Sequence, residues 1–140
     1  YKVYHYHHYE RTRCKKLAEK YGGSAKLDEF MGNFVDLATV VQDSVIFPLY
    51  FYSIKDIAKS SFLNFKWRHQ KAGGAQSIFW YEQWLETNDR SILDDIIRYN
   101  EDDVIATEHL HKWLNEQSAA TFNISASQTI KMPLGEAAPL

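Results

Sequence analysis

Apolar and polar positions follow helical spacing over most of the chain, and the extended segments between them are short. Residues 3–8, "VYHYHH", are rich in aromatic rings and predict a short strand. Residues 9–21, "YERTRCKKLAEKY", contain strong helix formers with apolar positions at helical intervals, and Gly22 and Gly23 end this helix. A strand followed by a helix predicts the beginning of an α/β unit.

The middle of the chain carries two local helix-start signals. Residues 24–33 predict a short connecting helix or loop, and the following "NFVDLATVV" predicts a brief strand or turn. Asp36 is placed to cap a helix that runs to about Asp43. Ser53 and Asp56, three residues apart, form a variant of the capping box and predict a helix of about two turns.

Three further helices are predicted in the second half. The first covers residues 75–86, with an apolar face formed by Ile78, Tyr81, Trp84 and Leu85. Asn88 and Asp89 break it and cap the next, "RSILDDIIRY". Asn100 is interpreted as the N-cap of a final helix ending near Gln117. The buried stripe predicted for that helix is Ala106, Leu110, Trp113 and Leu114.

Length and composition indicate one domain. At 140 residues the chain is long enough for one hydrophobic core, and residues 1–117 are assigned to it. Residues 118–140 lose periodicity and gain Ser, Ala and Pro, which predicts a poorly ordered tail. Cys14 is the only cysteine and no apolar run is long enough to span a membrane, so a soluble cytoplasmic protein is expected.

A cluster of carboxylates in "RYNEDDVIAT" is the strongest chemical signal. Glu101, Asp102 and Asp103 follow Asn100, where acidic side chains are favoured by the helix dipole alone. Asp103 also lies four residues after Tyr99, so on a helix the two side chains share a face. A carboxylate can bind Mg²⁺ or Mn²⁺, and a phenol beside it can orient the attacking water. This pair alone, however, is a weak sequence pattern.

Four segments in order raise that pattern to a family resemblance. They are "YHYHHYERTRCKKLAEKYG", "FVDL", "YSIKDIA" and "YNEDDVIATEHLHKWL". Together they resemble the ribonuclease H-like 3′ to 5′ exonucleases of the DEDD superfamily, in particular the YprB-type domain of putative RecB-like nucleases. The resemblance implies an α/β ribonuclease H-like fold that is mostly helical in the portion present and incomplete, with its first strands missing.

Site residues follow from the resemblance position by position. Tyr99 and Asp103 match the last motif of the tyrosine subtype, since the histidine subtype would have His where Arg98 stands. Glu10 matches the second-motif carboxylate, for which the superfamily usually has Asp. Asp36 matches an aspartate that begins a helix without binding metal. Asp102 is expected to face solvent.

The implied chemistry is hydrolysis of phosphodiester bonds with two divalent ions, Mg²⁺ or Mn²⁺. Glu10 and Asp103 would be metal ligands, and Tyr99 would position the water. The family's first motif, Asp-x-Glu on a strand, is expected to precede residue 1, so the chain alone is expected to be inactive. The implied partner is a single-stranded 3′ end of DNA or RNA, and a RecB-like domain is expected upstream.

Two other groups of residues are candidates for binding. The histidines in "HYHH" place His5 and His7 on one strand face and His8 on the other, which favours a strand surface over a zinc site. Residues 64–74 predict an exposed basic loop in which Lys66, Trp67, Arg68 and Lys71 contact phosphates and a base. A solvated loop anchored by Trp67 is the competing interpretation.

Three hypotheses for function remain open. The first is part of a metal-dependent nuclease acting on DNA or RNA from the 3′ end. The second is a catalytically inactive nuclease-like module that binds nucleic acid or a protein partner. The third is a truncated product without function. The net charge of −2 gives no general attraction to polyanions, so binding would need a local basic surface or a metal.

Overall fold

A computed structural model describes residues 1–68 and 74–122. In chain order the elements of this part are β1 (Val3–His5), α1 (Tyr9–Tyr21), α2 (Ala25–Gly32), β2 (Phe34–Asp36), α3 (Leu37–Ser44), α4 (Ile54–Lys59), α5 (Gly74–Thr87) and α6 (Arg90–Phe122). The two strands pair in parallel, with His5 opposite Asp36. The described residues therefore form a mostly helical α/β arrangement, as expected.

Several helix starts are set by the side chains that the sequence indicated. The Asp36 carboxylate accepts a hydrogen bond from the Ala38 N–H (2.9 Å) at the start of α3. Ser53 caps α4 by accepting from the Asp56 N–H. At the start of α6, the Asp89 carboxylate accepts from the backbone N–H and the hydroxyl of Ser91, and these bonds lower the pKa of Asp89. The predicted caps at Asp36, Ser53 and Asp89 are confirmed.

The first strand is shorter than predicted. It ends at His5 because His7 adopts a positive φ of 64° and turns the chain into α1. His5 is buried at 5% exposure, whereas His7 is exposed. The prediction that His5 and His7 share a strand face is therefore wrong.

The two helices predicted over residues 90–117 are one helix. α6 runs without a break from Arg90 to Phe122, so Asn100 lies inside the helix and caps nothing. The predicted stripe on this helix is confirmed: Ala106 and Leu110 are buried, and Trp113 and Leu114 pack at the edge of the core. Residues 118–122, assigned to a poorly ordered tail, are helical, and residues 123–140 lie outside the described part.

Helix α5 presents a different face to the core than predicted. Ile78, Tyr81 and Leu85 are about half exposed or more, at 63%, 49% and 55%. Trp80 packs instead against the buried residues at the centre of α4 and α6. Aromatic and aliphatic side chains occupy several sides of this helix, so its sequence does not indicate one buried face.

Two adjoining core clusters position the candidate site. The first gathers Tyr6, Leu37, Ala38, Val41, Phe47, Ile57 and Leu110. The second gathers Ala58, Trp67, Tyr99 and Ala106. Helix α6 contributes to both clusters and contacts β1, α3, α4 and α5. None of the described helices combines the length and the apolar character that crossing a membrane requires.

Candidate functional site

Tyr99 and Asp103 lie one turn apart on α6, on the side that faces α4. The phenol of Tyr99 is buried at 8% exposure within the second core cluster. Lys55 of α4 donates a hydrogen bond from Nζ to the Tyr99 phenol oxygen at 2.5 Å. A cation therefore lies against the phenol that the sequence singled out.

Asp103 is held by a tryptophan from a distant part of the chain. The indole Nε1 of Trp67 donates to Asp103 Oδ1 at 2.8 Å. Burial raises the pKa of Asp103, while the Trp67 hydrogen bond and the Lys55 charge oppose the rise and the Asp102 charge adds to it. Within the described residues, the Trp67 indole is the side-chain donor to this carboxylate.

Asp102 is buried rather than solvent-facing, and the prediction that it faces solvent is wrong. Its side chain is 5% exposed and accepts two hydrogen bonds from Arg68, one from the backbone N–H and one from Nε, each at 2.8 Å. The same guanidinium donates to Glu101 at 2.6 Å and to the Arg98 carbonyl at 3.0 Å. Arg68 therefore fastens the segment before it to α6.

Glu10 is the other carboxylate that the sequence predicts as a metal ligand. It is in the first turn of α1, where its carboxylate is half exposed, 3.7 Å from Nδ1 of His5. Asp36, beside the end of β1, accepts hydrogen bonds from the backbone of His7 and Ala38, in agreement with its predicted structural role. No hydrogen bond or ion pair joins Glu10 to Asp103 in the part that the structure describes.

The carboxylates and histidines of the described residues are the possible metal ligands. Within residues 1–68 and 74–122, no group of three His, Cys, Asp or Glu side chains is arranged to hold an ion. Asp103 offers a partly buried carboxylate and Glu10 a half-exposed carboxylate. The described residues by themselves therefore do not complete a metal site.

Only some side chains of the predicted basic loop are exposed. Trp67 is 3% exposed, so its ring belongs to the core and is not presented for base stacking; the anchoring interpretation describes it correctly. Lys66 is exposed and, with Lys59, Asn64, Phe65 and Trp67, lines an open cavity of about 280 Å³. Lys71 lies outside the described residues.

Lys55 is the site residue that the sequence did not single out, whereas Arg68 was predicted to contact phosphate and is instead bonded to Asp102 and Glu101. Lys55 lies inside "YSIKDIA", one of the segments that carry the family resemblance, so the segment was recognised but not the role of its lysine. The pairing of Arg68 with Asp102 spans 34 residues and has no local signal.

Comparison with known proteins gives the family of this arrangement. A family model of the RNase H superfamily (RNase_H_2) matches residues 1–115. The chain belongs to the RNase H superfamily. No curated protein and no solved structure matched the chain. The match covers both strands, Glu10 and the Tyr99 and Asp103 pair, so all three candidate catalytic residues lie inside the RNase H-like region.

Proposed function

We propose that this chain is part of a metal-dependent nuclease that hydrolyses phosphodiester bonds of DNA or RNA from the 3′ end. The observation that carries the proposal is the pairing of Tyr99 with Asp103 on one face of α6, held by Lys55 and Trp67 inside an RNase H superfamily domain. Nuclease chemistry is the general activity of such domains, which act on nucleic acid.

Each proposed catalytic residue has a role that its surroundings support. Asp103 and Glu10 would each supply carboxylate oxygen to Mg²⁺ or Mn²⁺, with the remaining ligands from outside the described residues. When bound, the metal would supply an activated water and stabilise the leaving oxygen. The Tyr99 oxygen accepts a hydrogen bond from Lys55, so its own proton is free to be donated toward a water or phosphate oxygen.

The finer assignments rest on the family resemblance. We propose a DEDD-type exonuclease of the tyrosine subtype, similar to the YprB-type domain, acting on a single-stranded 3′ end. A RecB-like domain upstream and a cytoplasmic location belong to the same proposal. Lys66, which is exposed beside the site, is proposed to contact substrate phosphate.

The test replaces Asp103 with Asn in the full-length protein. Asn keeps an oxygen that can accept the Trp67 hydrogen bond, so the substitution removes the charge and little else. Because loss of a residue that merely supports a metal ligand costs about 10- to 100-fold, loss of a ligand should cost about 100-fold or more in Mn²⁺-dependent release of mononucleotides. The free energy of unfolding should not fall, since burial disfavours the Asp103 charge.

A matched control comes from the same helix. Glu108 is exposed and paired with Lys112, so Glu108→Gln removes one carboxylate charge from α6 away from the site. This variant should retain the activity of the wild type. Undiminished nucleotide release by Asp103→Asn would reject the site assignment.

A second candidate function is a nuclease-like module that binds nucleic acid or a protein partner without cutting. It is favoured by the observation that all three carboxylates of the acidic cluster have protein partners: Arg68 for Glu101 and Asp102, and Trp67 for Asp103. A wild-type full-length protein that binds single-stranded oligonucleotides but releases no nucleotide with Mg²⁺ or Mn²⁺ would support this function over the first.

A further inference from the structure

Helix α1 differs in charge from the rest of the chain. It contains five basic residues (Arg11, Arg13, Lys15, Lys16 and Lys20) and two acidic residues (Glu10 and Glu19), for a net charge of +3. The whole chain carries −2, so the remaining residues together carry −5. The positive charge is thus concentrated on one helix, whose first turn contains Glu10.

Three of these cations form a stripe on the outer side of the helix. The stripe follows a spacing of four, three and four residues, through Tyr9, Arg13, Lys16 and Lys20. Because each residue of an α-helix turns by about 100°, these four side chains lie within an arc of about 60°. All four are exposed. We call Arg13, Lys16 and Lys20 the basic stripe.

The opposite side of α1 is the side that packs. Arg11 lies about 190° around the helix from the middle of the stripe. Its guanidinium donates to the Met31 carbonyl of α2 at 3.1 Å and lies over the Phe34 ring. Cys14 and Ala18, on this side, are partly buried. The basic stripe therefore faces solvent because the helix is fixed by its other face.

No carboxylate neutralises the basic stripe in the part of the chain that the structure describes. Arg13 lies over the ring of Tyr9, 4.9 Å from its centroid, and Lys20 lies 5.0 Å from the centroid of Tyr21. By contrast, the exposed cations Arg90 and Lys112 form ion pairs with carboxylates on their own helix. The stripe is the charge arrangement expected of a surface that binds an external polyanion.

We propose that the basic stripe binds the sugar–phosphate backbone of a single strand of nucleic acid and leads it away from the candidate site. At about 1.5 Å per residue, Arg13 and Lys20 lie about 10 Å apart along the helix, enough to contact more than one phosphate. The direction of the strand rests on the proposed function, because it assumes that Glu10 marks the site. Nucleic acid is favoured over an anionic lipid surface by the RNase H superfamily match.

The experiment measures binding of a labelled single-stranded oligonucleotide to the full-length protein in excess EDTA, over a range of salt concentrations. The variant replaces Arg13, Lys16 and Lys20 together with Gln, which favours helix as well as Lys does. For single strands the slope of log affinity against log salt changes by about 0.7 per phosphate contact, so the slope should become shallower by about 2. Circular dichroism checks that the variant folds.

The matched control removes the same charge elsewhere. Lys2, Arg90 and Lys112 are exposed and distant in sequence from the stripe, and their replacement by Gln lowers the net charge equally. The control should keep the wild-type slope. An unchanged slope in the stripe variant, or an equal change in the control, would overturn the proposal.

Two further outcomes separate this proposal from its alternatives. If the stripe variant lost binding to phosphatidylserine vesicles while oligonucleotide binding was unaffected, the stripe would be a lipid-binding surface and the proposal would fail. Binding without metal does not depend on catalysis, so an inactive wild-type protein would reject the proposed nuclease function and leave the binding result standing. Conversely, an active nuclease whose slope the stripe variant does not change would reject the stripe alone.

Discussion

Asp36 joins two elements through a single carboxylate oxygen. Its Oδ1 accepts a hydrogen bond from the His7 N–H at 2.8 Å, just after β1, and from the Ala38 N–H at 2.9 Å, in the first turn of α3. The side chain therefore fixes the end of the first strand relative to the helix that follows the second. The role of Asp36 is therefore structural, since its Oδ1 is hydrogen-bonded to backbone N–H groups.

Replacing Asp36 should therefore cost stability. Asp36→Ala removes the cap of α3 and leaves the His7 N–H without its partner, for a loss of about 2 kcal/mol in the free energy of unfolding. Asp36→Asn keeps an acceptor oxygen and should lose less than about 1 kcal/mol. Urea denaturation measures both. Loss of metal-dependent activity in Asp36→Ala at unchanged stability would instead indicate a metal ligand.

Contacts between residues that are close in the chain could be predicted, and contacts between distant residues could not. The cap by Asp36 was predicted because donor and acceptor are two residues apart and the geometry is local. Trp67 and Asp103 are 36 residues apart, and Lys55 and Tyr99 are 44 apart. No spacing rule connects such pairs, so the partners that position the site appear only in the folded chain.

Helix α6 is the element in which local signals misled. Asn100 has a side chain that suits an N-cap, and acidic residues follow it, yet the helix passes through this position. The inward side chains Ile96, Tyr99, Asp103 and Ala106 continue at intervals of three or four residues across Asn100. Packing along this continuous stripe outweighs the capping preference of one exposed residue.

A substitution at Asn100 distinguishes the two arrangements. Ala is the better residue inside a helix, so Asn100→Ala should raise the free energy of unfolding by about 0.5 kcal/mol. At a true N-cap the same change would lower it by about 1 kcal/mol. Asp89→Ala, at the cap where α6 does begin, should be destabilising and serves as the control of opposite sign. Destabilisation by Asn100→Ala in urea denaturation would argue for a helix break there.

The whole molecule is organised around α6. Leu110 is fully buried in the first core cluster, and four residues earlier Ala106 is fully buried in the second. The chain before residue 90 supplies the other members of both clusters except Tyr99. The core therefore forms only when the last described helix packs against the elements that precede it.

Truncating Leu110 tests this organisation. Leu110→Ala should lower the free energy of unfolding by about 3 kcal/mol, through lost apolar burial and the cavity left behind. Val104→Ala, on the same helix at 63% exposure, should change it by less than about 0.5 kcal/mol. Chemical denaturation of the two variants gives the comparison, and equal effects would show that α6 does not support the core.

The α/β class and the RNase H superfamily were accessible from the sequence, whereas the packing of the elements was not. The helices at residues 9–21 and 74–87 could be predicted because the residues that favour a helix and those that end it are close together in the chain. The aromatic side chains of α5 occupy several sides of the helix, so only the packed structure shows that Trp80 faces inward. The same limit applied to Asp102, whose burial depends on Arg68 from another part of the chain.

The hydrogen bond between Trp67 and Asp103 affects which residues evolution can accept at position 103. A side chain at position 103 that cannot accept a hydrogen bond would leave the buried indole N–H unpaired, at a cost of about 1–3 kcal/mol. Selection for stability alone would then disfavour the change, even in a descendant that no longer cuts nucleic acid. An acceptor at this position can therefore persist after the activity is lost, so its presence in a relative is weak evidence of catalysis. Glu10 is half exposed and, in the described part of the chain, contacts only His5, so its retention would be stronger evidence.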